Sequence, residues 1–186
     1  MNKIDPRSYI VSEKVHIGDN NYFAPFCVVG ASPQHRNYVD KYKEVVIGND
    51  NFIREFVTIY CGTERNTSVG NRNWIMSRSH IGHDVILEDD IVFSVGVSVA
   101  GWSHIMRGSN LGMGSFLHQG TVIGAYSMIG MSTIVTKQSD IKPFMKYIGS
   151  PARLLGPNQY AINKYPDEYK KIDKINEEFE KLKELR

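Results

Sequence analysis

Two histidines and an aspartate lie close together near the middle of the chain. The segment reads Ser79-His80-Ile81-Gly82-His83-Asp84, so two imidazoles are three residues apart and a carboxylate follows the second. A histidine titrates near neutral pH, and an adjacent carboxylate can fix its tautomer and stabilise the imidazolium that forms when it takes a proton. The segment is therefore a candidate for general-base catalysis, although the spacing alone also fits histidines on an ordinary surface.

The elements that position these residues follow a six-residue repeat. Large apolar residues occupy every sixth position thirteen times in succession: Val69, Ile75, Ile81, Leu87, Phe93, Val99, Ile105, Leu111, Leu117, Ile123, Ile129, Val135 and Ile141. An α-helix cannot keep every sixth residue on one face, whereas a short strand and a turn, repeated as one side of a prism, can. The repeat predicts an all-β solenoid, the left-handed parallel β-helix, with three sides and 18 residues in each coil.

Stacking of such coils places residues 18 apart above one another. His83, Gly101 and Gln119 then form one column, and Asp84, Trp102 and Gly120 form the next. Glycines that directly follow apolar positions, such as Gly82, are expected to form the tight bends at the corners.

Two interruptions of the repeat, residues 30–46 and 60–68, predict loops that leave a corner of the solenoid. Insertions in solenoids concentrate on one face, which is often the binding face.

After Pro151 the repeat ends, and apolar residues at three- and four-residue spacing between Tyr169 and Leu185 predict an amphipathic helix. We expect this helix to cap the open end or to pack against a partner subunit. The predicted organisation is a β-helix over residues 1–156 and a helical tail over 157–186.

Composition excludes several classes of protein. The 186 residues carry a net charge of +2, which is too balanced for a dedicated nucleic-acid-binding protein. The sequence contains neither an apolar run long enough to span a membrane nor a secretory signal at its start, which predicts a cytoplasmic protein. Two cysteines without a CxxC motif indicate neither a disulfide framework nor a zinc ribbon. Cys27 is expected in the core, and the position of Cys61 at the edge of a loop leaves its role open.

From Ile17 to about Asn158 the sequence resembles the UDP-N-acetylglucosamine O-acyltransferases of lipid A synthesis and the related nucleotide-sugar N-acyltransferases. The segments that carry the resemblance are Ile47-Gly48, Ile53-Arg54-Glu55-Phe56-Val57-Thr58-Ile59, Cys61-Gly62-Thr63, His80-Ile81-Gly82-His83-Asp84, Val99-Ala100-Gly101 and His118-Gln119.

The resemblance implies a role for each matching residue. His83 would be the general base, Asp84 would orient it, and the backbone N–H of Gly101 would support the oxyanion. The acceptor cleft would be lined by Gln34, His80, His118 and Gln119, together with Asn37, which stands where the family has a lysine. The resemblance also implies a homotrimer with a site in each groove between neighbouring subunits.

Departures from the family pattern bear on the acyl donor. This chain has His35 where the family has an aspartate, and Trp102 where it has a histidine. The segment Ile148-Gly149-Ser150-Pro151-Ala152-Arg153 is similar to the end of the β-helix in acetyl-CoA-dependent hexapeptide enzymes. Trp102, Gly149 and Arg153 are therefore predicted to face the donor, and acetyl-CoA is favoured over an acyl carrier protein.

The predicted function is N-acetylation of an amino group on a nucleotide-linked sugar, without a metal, for polysaccharide biosynthesis. A lipid A-type transfer from an acyl carrier protein to a UDP-sugar is the first alternative. The second is a zinc enzyme like the γ-carbonic anhydrases, with His80, His83 and His118 as ligands, although the pair of histidines five residues apart in that family is absent. The third is a non-catalytic β-helical scaffold. The candidates for a contact to the diphosphate of the nucleotide are Arg36, Arg54, Arg72 and Arg78.

Overall fold

The computed structural model of the protein describes residues 1–37 and 41–185. Their strands, each two to five residues long, are β1 (Lys3–Ile4), β2 (Tyr9–Ile10), β3 (Val15–Ile17), β4 (Tyr22–Phe23), β5 (Val28–Ala31), β6 (Val45–Ile47), β7 (Phe52–Ile53), β8 (Thr58–Tyr60), β9 (Thr67–Val69), β10 (Trp74–Ile75), β11 (His80–Ile81), β12 (Ile86–Leu87), β13 (Val92–Phe93), β14 (Ser98–Val99), β15 (His104–Ile105), β16 (Asn110–Leu111), β17 (Phe116–Leu117), β18 (Val122–Ile123), β19 (Met128–Ile129), β20 (Ile134–Val135), β21 (Met145–Ile148) and β22 (Arg153–Pro157). The helices are a 3₁₀ turn at Ser12–Lys14, α1 (Gln159–Lys164), α2 (Pro166–Tyr169) and α3 (Ile172–Glu184).

The strands form three sheets that are the three sides of a solenoid. Sheet 1 has the order β1-β4-β7-β10-β13-β16-β19-β21-β22, sheet 2 the order β2-β5-β8-β11-β14-β17-β20, and sheet 3 the order β18-β15-β12-β9-β6-β3. Neighbouring strands are parallel except for β21 and β22, which form an antiparallel hairpin. In the regular part of the chain each residue pairs with the one 18 positions on, as Ile81 does with Val99 and Val99 with Leu117. The predicted three-sided coil of 18 residues is confirmed.

The interior of the solenoid is a single apolar column. All thirteen residues of the six-residue repeat are at most 3% exposed. Burial of one such side chain contributes about 1.5–3 kcal/mol relative to leaving it in water, so the repeat supplies the main driving force for the fold.

The corners are built differently from the prediction. Gly82 has an ordinary backbone conformation. The left-handed conformation is adopted two residues later by Asp84, with a φ of +61°, and at the matching position of the next coil by Trp102, with a φ of +59°. A β-carbon on Gly82 would lie 2.9 Å from the backbone nitrogen of Gly101 in the next coil. A glycine is needed there because the coils approach closely, and the expectation that it forms the bend itself is wrong.

Both interruptions of the repeat leave the corner between sheets 2 and 3. The first connects β5 to β6 and spans 32–44, and the second connects β8 to β9 and spans 61–66. The predicted ranges, 30–46 and 60–68, therefore include one or two strand residues at each end, and residues 38–40 of the first lie outside the described part of the chain. The turn between β11 and β12, which contains His83 and Asp84, lies at this same corner. The fold thus brings both loops to the side of the candidate catalytic residues.

The region predicted as one C-terminal helix is divided into α2 and α3, with a break at Lys170 and Lys171. The buried residues of α3, Ile175 and Phe179, belong to a second apolar cluster with Met106 and Val122, which lie at sheet 3. The helix therefore packs against a side of its own solenoid. The sequence had instead led us to expect that it caps the open end or contacts a partner subunit. Within the described residues, no helix has the length and apolar character needed to cross a membrane.

Candidate active site

His83 and Asp84 form a hydrogen-bonded pair in the turn between β11 and β12. The Nδ1 atom of His83 lies 2.7 Å from Oδ2 of Asp84. His83 is 8% exposed, and Asp84 is fully buried. The pair therefore lies at the wall of the solenoid, with the carboxylate on its inner side and the imidazole close to the surface.

The carboxylate of Asp84 is surrounded by donors from the loop 61–66. Its Oδ2 accepts hydrogen bonds from the backbone N–H of Thr63 at 2.9 Å and from the Thr63 hydroxyl at 2.6 Å. Its Oδ1 accepts from the backbone N–H groups of Glu64 and Arg65, both at 2.8 Å. Burial alone would raise the pKa of Asp84, but the hydrogen bonds from His83, Arg65 and Thr63 outweigh it and hold the pKa well below its usual range. Asp84 is therefore ionised at neutral pH.

This charge state determines the tautomer of His83. An ionised carboxylate can only accept hydrogen bonds, so the proton between the two side chains lies on Nδ1 of His83. The lone pair of the neutral imidazole is then on Nε2, which has no hydrogen-bond partner among the residues that the structure describes. His83 is thus arranged to take a proton at Nε2.

The backbone of Gly101, in the next coil, packs against the imidazole of His83. A β-carbon at residue 101 would lie 2.5 Å from Cε1 and 2.7 Å from Nε2 of His83, so only glycine fits beside the ring. The N–H of Gly101 donates to no group in the described chain, whereas those of Ala100 and Trp102 pair with Leu117 and His83. A free backbone donor therefore lies next to the candidate base.

Two aromatic side chains pack edge-on against the same imidazole. The ring centroid of Trp102 is 4.4 Å from that of His83, and the centroid of His35, from the loop 32–44, is 5.4 Å from both rings. In the sequence His35 is notable only as a departure from the family pattern, and its place beside His83 could not be predicted from it.

Gln34 and His80 lie at the same corner and are linked through Tyr60. Nε2 of Gln34 donates to the Tyr60 hydroxyl at 2.9 Å, and the Tyr60 ring lies 5.5 Å from that of His80. Nδ1 of His80 is 2.9 Å from the Thr58 hydroxyl. Burial and the neighbouring His83 lower the pKa of His80, which keeps it neutral at physiological pH. His80 therefore lies near His83, and Gln34 is connected to His80 through Tyr60.

The other predicted site residues lie at the exposed surface. Asn37, His118 and Gln119 are exposed, and Gln119 is two coils beyond His83 in the same column, about 10 Å along the solenoid at the usual strand spacing. Gly149 and Arg153 belong to the hairpin of β21 and β22 on sheet 1, and so to another part of the surface. A single chain does not bring these two residues to His83.

A cavity of about 450 Å³ lies next to Trp102. Its lining residues are Glu64, Arg65, Trp102, Gln119, Gly120, Lys137 and Leu185. Arg65, Lys137 and Leu185 were not predicted as site residues. The last of these follows α3, whose place on the solenoid could not be deduced from the repeat.

Neither a metal centre nor a cysteine nucleophile is found at this corner. The described residues contain no group of three His, Cys, Asp or Glu side chains that could share a metal ion. Both cysteines are fully buried, and burial raises the pKa of each thiol to about 11. Cys27 is a core residue, as predicted, and Cys61 is buried as well, so neither is suited to nucleophilic attack.

Comparisons with known proteins identify relatives in sequence and in fold. No family model matches the chain. It is 34% identical over 169 residues to the acyl-[acyl-carrier-protein]–UDP-N-acetylglucosamine O-acyltransferase of Nautilia profundicola, covering 89% of this chain and 64% of that protein. The chain spans less than two thirds of the length of the curated relatives it matches.

Solved structures confirm the fold as a left-handed parallel β-helix. The UDP-N-acetylglucosamine acyltransferase of Bacteroides fragilis aligns with a TM-score of 0.83 at 30% identity, covering 88% of this chain and 64% of that one. A perosamine N-acetyltransferase from Caulobacter crescentus aligns with a TM-score of 0.56 at 19% identity, over 83% of this chain and 56% of the other, which is a likeness of fold alone.

Proposed function

In sequence and in fold the chain is a homologue of the UDP-N-acetylglucosamine O-acyltransferases, and on this premise we propose that it transfers an acyl group from a thioester to a nucleotide-linked sugar. The observation that carries the proposal is the His83–Asp84 pair with the free N–H of Gly101 beside it. This arrangement combines a proton acceptor, a group that stabilises its charged form and a donor for an oxyanion.

In the proposed reaction His83 acts as the general base. Its Nε2 takes the proton from the attacking amine or hydroxyl as that group adds to the thioester carbonyl. The buried carboxylate of Asp84 stabilises the resulting imidazolium through Nδ1. General-base help of this kind contributes roughly 10²–10⁴ in rate.

The N–H of Gly101 is proposed to stabilise the tetrahedral intermediate. A backbone donor aimed at the developing oxyanion contributes about 3 kcal/mol in comparable sites. When the intermediate collapses, the carbon–sulfur bond breaks and the imidazolium of His83 returns its proton to the departing thiolate. Transfer is direct and forms no acyl-enzyme, in keeping with two buried, high-pKa cysteines.

The acceptor is proposed to lie along the corner on the side of Gln34 and His80, with Asn37, His118 and Gln119 as further contacts. Among the arginines considered for the diphosphate, Arg54 and Arg72 are paired with carboxylates of their own chain. Arg36 and Arg78 are exposed and form no ion pair within the described residues, which makes them the better candidates.

Two donors are supported by different observations. The close packing of Trp102 and His35 against His83 leaves little width beside the base, which favours a short acyl group from acetyl-CoA and an amino acceptor. The similarity to acyl-[acyl-carrier-protein]–UDP-N-acetylglucosamine O-acyltransferases favours an acyl carrier protein and a sugar hydroxyl. A role for Gly149 and Arg153 in binding coenzyme A remains a prediction.

A homotrimer, with sites in the grooves between subunits, is part of the proposal. It is supported by the exposure of Asn37, His118 and Gln119, which in one chain leaves much of the acceptor side open. We place the enzyme in the cytoplasm, in the synthesis of a surface polysaccharide, as the sequence analysis predicts.

Thiol release provides the test. The full chain is assayed with two donors, acetyl-CoA and an acyl carrier protein that carries a medium-chain acyl group. The acceptors are a panel of UDP- and dTDP-linked sugars and amino sugars. Wild type is compared with His83→Ala and with His16→Ala, a control histidine that is exposed on β3. Turnover that falls at least a hundredfold only in His83→Ala supports the proposal, and the donor consumed decides between the two candidates. Turnover unaffected by His83→Ala would refute the site.

A further inference from the structure

We propose that the loop 61–66 is a positioning device for the catalytic pair and that Thr63 is its positioning residue. The Thr63 hydroxyl would keep the carboxylate of Asp84 in the orientation that holds the proton of His83 on Nδ1. This inference rests on the proposed function, because the Nδ1–H tautomer matters for catalysis only if His83 acts as a base at Nε2.

The hydrogen bonds around Asp84 carry the argument. Oδ2 receives three donors: Nδ1–H of His83, the Thr63 hydroxyl and the Thr63 backbone N–H. Oδ1 receives the N–H groups of Glu64 and Arg65. Three successive backbone N–H groups thus converge on one buried carboxylate, an arrangement that binds anions in many proteins. Besides His83, Thr63 is the one residue of the described chain whose side chain donates to this carboxylate.

The loop is itself held rigidly in place. At Gly62 a β-carbon would lie 1.6 Å from the carbonyl oxygen of Arg65, so the chain turns too tightly there for any other residue. The Arg65 guanidinium donates to the carbonyl oxygens of Asp84 at 2.8 Å and Trp102 at 3.2 Å. The backbone N–H of Asp84 in turn donates to the hydroxyl of Thr67. The loop is therefore tied to the coil of His83 and to the coil of Gly101.

This arrangement explains why a hydroxyl is needed at residue 63. The backbone N–H groups fix where the carboxylate lies, and the 2.6 Å hydrogen bond from the Thr63 hydroxyl adds a directed donor on the same oxygen that His83 uses. Without it, the carboxylate can turn away from His83, and the neutral imidazole then populates the Nε2–H tautomer. That tautomer has no lone pair at Nε2 and cannot act as a base there.

The experiment compares Thr63→Val, which keeps the shape and removes the hydroxyl, with Thr63→Ser, which keeps the hydroxyl. The tautomer of His83 is read from ¹⁵N–¹H correlation spectra of the substrate-free full chain labelled in histidine, with the His83 signal assigned from His83→Ala. We expect the Nδ1–H tautomer in wild type and Thr63→Ser, and a predominance of the Nε2–H tautomer in Thr63→Val. If Thr63→Val does not accumulate in folded form, Thr63→Ala replaces it in the same measurement.

Kinetics give a second readout. In Thr63→Val, kcat is expected to fall roughly ten- to a hundredfold, the effect of one hydrogen bond to a charged group, with KM changed less than about threefold and activity restored in Thr63→Ser. A folded Thr63→Val that keeps His83 entirely as Nδ1–H overturns the proposal. Because the spectra need no substrate, they decide the positioning role even if wild type shows no acyl transfer, which would overturn only the proposed function.

Discussion

The imidazole of His83 and the α-carbon of Gly101 are packed so closely that a single added methyl group has no room between them. A β-carbon at residue 101 would come within 2.5 Å of Cε1 and 2.9 Å of Nδ1 of His83. The two residues are stacked in consecutive coils, and the N–H of Trp102 donates to the carbonyl oxygen of His83 at 3.0 Å. The same contact thus places the candidate base and the candidate oxyanion donor side by side.

Gly101→Ala is expected to lower acyl transfer at least a hundredfold while leaving the solenoid folded. The added methyl group displaces the His83 ring from its position, and general-base help worth roughly 10²–10⁴ is lost with it. The measurement is thiol release, with circular dichroism to establish folding. Gly114→Ala serves as the control, since its β-carbon would lie 3.8 Å from the nearest atom, at a different corner. Its φ of +64° is the left-handed conformation that Asp84 and Trp102 also adopt, so the solenoid accepts a side chain in such a turn. Equal activity in Gly101→Ala and wild type would show that the contact is irrelevant to catalysis.

Trp102→Ala is expected to widen the range of acyl donors. Its ring lies 4.4 Å from that of His83 and also lines the neighbouring cavity, so its removal opens space between this cavity and the base for a longer acyl chain. The ratio of kcat/KM for hexanoyl-CoA to that for acetyl-CoA should rise about tenfold or more, within the 10–200-fold range that apolar pocket contacts provide.

The matched control is Trp74→Ala, because Trp74 is exposed on sheet 1 and packs against Phe52. This variant should leave the ratio of donors unchanged. A ratio that stays constant in Trp102→Ala as well would mean that the tryptophan does not limit the length of the acyl chain.

The regular part of the fold could be predicted because apolar residues recur in the sequence with a fixed six-residue period. Ile81, Val99 and Leu117 are 18 residues apart and pair directly, so the column of His83 and Gly101 followed from arithmetic alone. The role of the glycines was predicted wrongly. A six-residue pattern shows where a corner occurs, but it does not show how closely the next coil approaches, as it does at Gly82.

The loops could not be placed in the same way because they change the period. Thr58 pairs with His80 over 22 residues and with Val28 over 30, so column arithmetic fails on either side of each insertion. Thr63 and His35, which contact Asp84 and His83, lie in these insertions. The resemblance included Thr63 in a matching segment but indicated no contact for it.

Phe179→Ala is expected to release α3 from the solenoid without unfolding the β-helix. Phe179 is 1% exposed and belongs to a cluster separate from the apolar column, and a Phe→Ala change at such a site costs about 3–5 kcal/mol. Hydrogen exchange should show faster exchange in α3, with unchanged protection in β10–β17. Phe116→Ala, at an exposed surface position, should change neither the exchange of α3 nor the protection of β10–β17. Loss of protection throughout would show that the helix and the solenoid fold as one unit.

Asp84→Asn is expected to lower stability at neutral pH, and the difference from wild type should shrink in acid. The pKa of Asp84 is lower in the folded chain than the value of about 3.9 for an unfolded aspartate. Its contribution is therefore fully present above that pH and is lost as the pH falls towards the folded-state pKa. In Asp84→Asn the amide directs an NH₂ group at the donors of the loop 61–66, which costs about 1–3 kcal/mol at pH 7.

Urea unfolding of both proteins between pH 7 and pH 3, at one protein concentration, measures this difference. It should be largest at pH 7 and should decline below about pH 4, because Asp84 then takes up a proton in unfolded wild type while the folded carboxylate is still ionised, which lowers the free energy of unfolding of wild type alone. Asp167→Asn, at an exposed position of α2, should stay within about 0.5 kcal/mol of wild type. A difference between Asp84→Asn and wild type that stays constant down to pH 3 would contradict the assignment of Asp84 as a buried carboxylate held ionised by the loop. It would also remove the basis for placing the proton of His83 on Nδ1.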